Sequence, residues 1–388
     1  MVLNSLLIIF LCIIVLGLIE SYFHNISLNN IPIRIHINGS RGKSSVTRLI
    51  AAGLRAGGMK TLAKTTGTSP RIIDEDGNDK AIYRLRSASI GEQVRLIRDF
   101  AKKKPDVVVI ECMAVNPQYQ WVSEHKMIKS TMSVITNVRP DHLDEMGLTL
   151  KENANSLANT IPFNGNLITL NENDEINKIF EVIAKKRNTK LHSLNQNDEL
   201  KDIMGQFKYL EHEDNVNIAL KVCDVFGIKK EEAIKGMIQA KPDPGATVIW
   251  RLNYKVFSNY FINLLAANDP SSTYKIYQTI LKRFDNAKIC IFFNTRADRR
   301  YRTNQLLDLI FQKIKPDRLI IRGDYFPKIF KAYKAKFSSI EIVEIGYEAT
   351  FKQVVKEFSM LDEYYIVGMG NIVGWGEKFI KYLKQYRT

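Results

Sequence analysis

The chain has 388 residues, 45% of them hydrophobic and 25% charged, and a formal charge of +15. That length exceeds one ordinary domain and that composition excludes a disordered or fibrous protein. Its four cysteines, Cys12, Cys112, Cys223 and Cys290, fall at neither disulfide-framework nor zinc-site spacing, as in a reducing compartment.

The first element is "VLNSLLIIFLCIIVLGLI", residues 2–19, interrupted only by Asn4 and Ser5. About 18 apolar residues suffice to cross a bilayer as a helix. No basic leader or small-residue cleavage site accompanies it, and Tyr22 and Phe23 read as interfacial anchors. The expectation is an uncleaved single-span anchor over 1–24, followed by a polar link, "HNISLNN"; a buried core helix is the competing reading.

Strands and helices then alternate. "IPIRIHI" predicts a strand and "SSVTRLIAAGLRAGG" a helix stopped at Gly57-Gly58. "GEQVRLIRDFAKKKP" predicts a helix ended at Pro105. "DVVVIECM", "TMSVITNV" and "GNLITLNEND" are short apolar runs suited to strands buried on both faces. "QAKPDPGATVIW" (239–250) reads as a linker, and beyond it "AKICIFFNT", "PDRLIIRGD", "IEIVEIG" and "EYYIVGMGN" continue the alternation. The expected fold is α/β with parallel sheets. A nucleotide-binding domain is expected over 25–244 and a smaller α/β domain over 245–388.

Three loops carry chemistry. In "HINGSRGKSS" the glycines Gly39 and Gly42 let the backbone approach a polyphosphate, and the following helix points free N–H groups at it. Ser40, Arg41 and Ser45 belong to the same loop. Lys43 is expected to bridge the β- and γ-phosphates of ATP, and Ser44 to offer its hydroxyl to Mg²⁺. The glycine that the common phosphate-binding loop has five positions before Gly-Lys-Ser is replaced by Ile37. Glu111 ends a buried strand, where open α/β sheets bind ligands, and is a candidate Mg²⁺ ligand; capping a helix is the alternative. "TNVRPDHLDEMG" clusters Asn137, Asp141, His142 and Asp144, a composition shared by metal and nucleotide loops and by solvated turns.

Together these motifs resemble the Mur ligase superfamily, whose loop has the shorter G-[ST]-x-G-K-[ST] form. "TTGTSPRI" (65–72), "ANDPSST" (267–273) and "NTRADRR" (294–300) are similar to further segments of that family. The resemblance covers residue 31 to the end. Within the superfamily, the anchor, the size and the stretch 36–71 look most like the ligase subunits of poly-γ-glutamate synthases.

The resemblance implies ATP-dependent amide formation through an acyl phosphate, with glutamate joined to a growing poly-γ-glutamate chain. It places Glu111 and His142 at two metal positions, Asn215 or Asn217 on the adenine side, and Asp298 and Arg299 where the second domain closes. It further implies a membrane-held enzyme with cytoplasmic catalytic domains and a separate multi-span membrane subunit as partner. Two departures stand out. Leu157 occupies the place where many members carry a carbamylated lysine, and the nucleotide-sugar domain of the cell-wall enzymes has no room before residue 39. The competing functions are a folylpolyglutamate-type ligase and a membrane-tethered P-loop ATPase that powers assembly or export. The high charge suits a polyanionic product or an anionic membrane surface. No zinc-finger or RNA-binding signature points to nucleic acid.

Overall fold

The computed structural model describes residues 2–67, 70–83, 89–195, 200–204, 206, 207, 209, 211–243, 249–254, 256–265, 270–283, 288–295, 300–323, 328–336 and 340–388. The chain forms two compact units, one of 1–207 with 211–245 and one of 246–388 with 208–210.

The first unit begins with helix α1, Val2–Asn29. Its apolar side chains are exposed on every face, among them Leu6, Ile8, Phe10, Leu16 and Leu18. Such a helix is stable only in lipid or against a partner. The helix is long and apolar enough to span a membrane.

The polar stretch 24–29, expected as a link, continues the helix instead. Nothing in "HNISLN" breaks it, and tertiary contacts hold it. Leu28 is buried, the His24 ring bonds the Met127 carbonyl at 2.7 Å, and Lys129 donates to Asn25 at 2.8 Å. Arg34 reinforces this end by donating to the carbonyls of Leu28, Ile31, Ile128 and Lys129.

An eight-stranded sheet follows: β1 Ile33–Asn38, β2 Thr61–Thr65, β3 Arg71–Ile73, β4 Asp79–Ala81, β5 Val107–Glu111, β6 Met132–Ile135, β7 Asn166–Leu170 and β8 Lys190–Leu194. Their order is β4-β3-β2-β5-β1-β6-β7-β8. The pairs β2/β3 and β3/β4 are antiparallel and the rest parallel. Strands β5 and β6 are buried along their whole length, as their unbroken apolar runs demand. Helices α2 (Lys43–Ala56), α3 (Glu92–Ala101) and α4 (Pro117–Val122) pack on the sheet, and α4 runs into a six-residue π-helical turn, Ser123–Ile128.

The second unit holds six strands: β9 Ile249–Asn253, β10 Ser258–Asn263, β11 Lys288–Asn294, β12 Arg318–Gly323, β13 Glu341–Gly346 and β14 Tyr364–Gly370. Their order is β13-β12-β11-β14-β10-β9, parallel except for β9. Phe261, Phe292, Phe358 and Phe379 fill the core on one side of this sheet. Ile291, Phe293, Phe311 and Phe330 fill it on the other.

Candidate active site

Strand order decides where the three predicted loops go. β1 lies between β5 and β6, so the loops leaving all three strands emerge side by side at one edge of the sheet. They meet around a cavity of about 310 Å³ lined by Gly39, Ser40, Arg41, Lys43, Glu111, Asp141 and His142, among others. This is the crevice beyond the carboxyl ends of parallel strands, where such folds take ligands.

The loop 39–42 requires both its glycines. Gly39 has φ +128°, and a Cβ there would lie 2.1 Å from the Thr136 Oγ1. Gly42 has φ +82°, and a Cβ would lie 2.6 Å from the Asn215 Oδ1. Side chains from the β6 loop fix the loop from below. Asn137 accepts from the Arg41 N–H at 3.1 Å and donates to the Arg41 carbonyl at 3.0 Å, while Thr136 donates to the same carbonyl at 2.6 Å. The Ser40 hydroxyl donates to the Arg139 carbonyl at 2.9 Å. The Arg41 guanidinium stands 3.5 Å from Asp141.

Helix α2 starts at Lys43, so its first N–H groups open on the cavity. The Lys43 ammonium folds back over the loop to the carbonyls of Gly39 at 2.5 Å and Ser40 at 3.3 Å. One residue on, the Ser44 hydroxyl donates to the Glu111 carboxylate at 2.8 Å, and the Thr66 N–H donates to the same oxygen at 2.7 Å. The two predicted Mg²⁺ ligands, 67 residues apart in sequence, are thus within reach of a single ion.

His142 lines the same cavity, in the left-handed conformation (φ +45°), with its ring half exposed and 3.9 Å from Asp141. Leu157 is also in the wall. Among the described residues no group of three or more His, Cys, Asp or Glu side chains converges. The Ser44 hydroxyl and Glu111 carboxylate are oxygen donors, the chemistry that suits a hard cation, and further ligands would have to come from phosphate and water.

Asn215, at the start of the helix Glu213–Val225, backs the phosphate loop and donates to Glu211 at 2.7 Å. Asn217 turns elsewhere, donating to the Asn195 carbonyl at 2.9 Å. Asp144 is exposed and lines no part of the cavity. Asp298 and Arg299, and Thr68 and Ser69 of the Thr-Ser-Pro segment, lie outside the described residues.

Sequence reasoning missed several contributors. Glu211 is half-buried, and burial pushes its carboxyl above the usual carboxylate range against the pull of Asn215, the His212 N–H and the nearby Ser45 hydroxyl. Asn38 donates to Gln120 at 2.8 Å and to Thr160 at 3.2 Å, forming the polar floor. Beneath it, His36 bonds Glu124 at 2.7 Å with both side chains buried. Burial alone would lower the His36 pKa, but Cys112 and Glu124 outweigh it and raise it to about 9.

A model of the Mur ligase middle domain matches residues 37–239, just over half of the chain. The chain belongs to the Mur ligase family. A second model, of the poly-gamma-glutamate synthase CapB C-terminal domain, matches residues 251–386. PGA synthase CapB of Bacillus subtilis (strain 168) is 36% identical over 380 residues, covering 97% of this chain and 96% of that one. Capsule biosynthesis protein CapB of Bacillus anthracis is 37% identical over 373 residues, covering 95% and 80%. At that identity and coverage the chain is a CapB-type member of the family.

Solved structures of folylpolyglutamate synthases share its fold. The Thermotoga maritima enzyme superposes with a TM-score of 0.64 at 15% identity, covering 93% of each chain. A Mycobacterium tuberculosis enzyme complexed with ADP and AMPPCP gives 0.63 at 16%, covering 94% of each.

Proposed function

We propose that this CapB-type ligase polymerises glutamate into poly-γ-glutamate, using ATP to activate the γ-carboxylate at the end of the growing chain. The observation that carries the reading is the near end-to-end identity to PGA synthase CapB. The site's geometry suits the chemistry. A carboxylate resists attack by an amine because oxide is a poor leaving group. Transfer of a phosphoryl group makes an acyl phosphate, from which the amine of glutamate displaces phosphate and forms the amide.

Lys43 and the N–H groups of the first turn of α2 would bind the phosphates and stabilise the negative charge that spreads over the transferring group. Ser44 and Glu111 would hold Mg²⁺, with His142 contributing from across the cavity. When bound, the ion neutralises phosphate charge. Asn215 is assigned to the nucleotide side through its support of Gly42, in preference to Asn217. Asp298 and Arg299 are proposed, from the family resemblance alone, as further catalytic residues. A cytoplasmic orientation and a separate multi-span subunit are part of the same proposal, since ATP and glutamate are cytoplasmic and the product is a polyanion.

A folylpolyglutamate-type ligase shares the fold, but that likeness stands at 15–16% identity and carries no substrate. The exposed apolar α1 favours a membrane-held enzyme. The deciding experiment incubates membranes containing the protein with ATP, Mg²⁺ and radiolabelled glutamate. Glutamate-dependent ADP release with protease-resistant polymer is expected. ATP hydrolysis indifferent to glutamate would instead mark a membrane-tethered ATPase.

A further inference from the structure

The second unit contains a cavity that the proposed chemistry does not use. It holds about 580 Å³ and lies between the helix Phe351–Phe358, the end of β9 and the C-terminal residues. Asn253, the last residue of β9, pairs with Ser258, the first of β10, and the helix leads into the start of β14. The cavity is thus at the amino ends of the parallel strands, the opposite end of the sheet from Asn294.

Its charged lining is entirely cationic. Lys352 and Lys356 are one helical turn apart, so both ammonium groups reach the same side, and no carboxylate lines the cavity. Among the described residues neither ammonium has an ion-pair partner, while the neighbouring Glu357 turns to Arg318 at 3.1 Å. Lys356, in the last turn, favours the helix dipole. Lys352, in the first turn, opposes it, so helix stability does not account for that cation.

The facing wall is aromatic. Tyr254 and Tyr386 are 5.3 Å apart, and Tyr382 is 6.1 Å from Tyr386. Half-buried phenol rings lower the local dielectric, which strengthens attraction to an anion.

We propose that this cavity is a holding site for the product chain, taking successive α-carboxylates of a γ-glutamyl polymer on Lys352 and Lys356. The inference rests on the ligase reading above. A regularly spaced polycarboxylate matches paired cations beside a low-dielectric aromatic wall, whereas a flat anionic lipid surface would call for a broad apolar rim. Among the described residues lining the cavity, Val256, 80% exposed, is the one large apolar side chain standing out at this rim.

The test uses the full-length detergent-solubilised protein with Lys352→Glu and Lys356→Glu, singly and together, and the milder Lys352→Gln/Lys356→Gln pair. A fluorescent γ-glutamyl oligomer should bind the wild type in a salt-sensitive way. The double charge reversal should weaken binding about tenfold and shorten the polymer. Glutamate-dependent ADP release with a minimal γ-glutamyl acceptor should stay at wild-type rates. Unchanged oligomer binding in both double variants overturns the site. So does a loss confined to phosphatidylglycerol vesicles, which would assign the cavity to lipid. Oligomer binding that is lost in the variants while wild type ligates no glutamate would keep the site and sink the ligase reading.

Discussion

Lys43 is at once the first residue of α2 and the cation at the mouth of the phosphate loop, and its side chain supports no core. Lys43→Ala should therefore fold normally by circular dichroism while losing about 10²–10³ in ligation rate, the usual effect of removing one preorganised charge-stabilising group. Wild-type turnover in a folded variant would refute the loop assignment. Glu111→Gln tests the neighbouring claim. An amide oxygen is a weaker ligand for a hard cation, so saturation should need more Mg²⁺, and Ser44→Ala should shift the titration the same way. If neither curve moves, the ion is held elsewhere. His36 makes a different prediction. Its pKa is near 6.5 unfolded and about 9 folded, so its contribution to stability is complete below pH 6.5 and is lost as pH climbs through 9. The thermal midpoint of the wild type should fall over that window, and His36→Gln should flatten the fall; identical slopes would exclude the His36–Glu124 pair as the cause.

At the level of elements, α1 ends inside the first unit, not before it. Removing residues 1–23 should release the protein from membranes and leave its thermal stability intact, because His24, Leu28 and Arg34 keep their contacts. Removing 1–30 should also free it but lower stability by about 2 kcal/mol, the worth of one buried leucine with its polar neighbours. Equal midpoints for the two truncations would mean that the end of α1 contributes nothing. The same element shows what the sequence conceals. Residues 24–29 look like a link because Asn and Ser disfavour helix interiors, and contacts with Met127 and Lys129, a hundred residues away, hold the continuation. Buried strands such as β5 are legible as unbroken apolar runs. β2 is not, because it carries Lys64, fully buried and paired with Glu92 at 3.1 Å. The site follows the same division. Gly39–Ser44 is contiguous and announces itself, and Glu111 is readable as a strand end. Glu211 and Gln120 belong to no motif, since they are brought to the site by packing alone.

For the whole molecule, the anchor and the catalytic loops are joined without slack. α1 is apolar on every face and has no polar stripe by which to line a conduit. A single helix offers a polyanion no path across hydrocarbon, because each charge would have to be desolvated. Arg34, the basic residue nearest the helix, spends its donors on backbone carbonyls, so it is a structural clamp and gives no evidence of orientation. On the proposed reading, orientation and export come from a partner, and α1 is the surface proposed to meet it inside the bilayer. Exchanging residues 2–19 for an unrelated apolar span should leave the protein in the membrane with glutamate-dependent ADP release unchanged, since β1 and its loop begin only at Ile33. Mild-detergent purification should recover a multi-span protein with the native chain and lose it with the exchanged one, and polymer should then accumulate on the side where it is made. If the exchanged chain still recovers the partner and delivers polymer outside, the docking surface is on the catalytic units and α1 is only a tether.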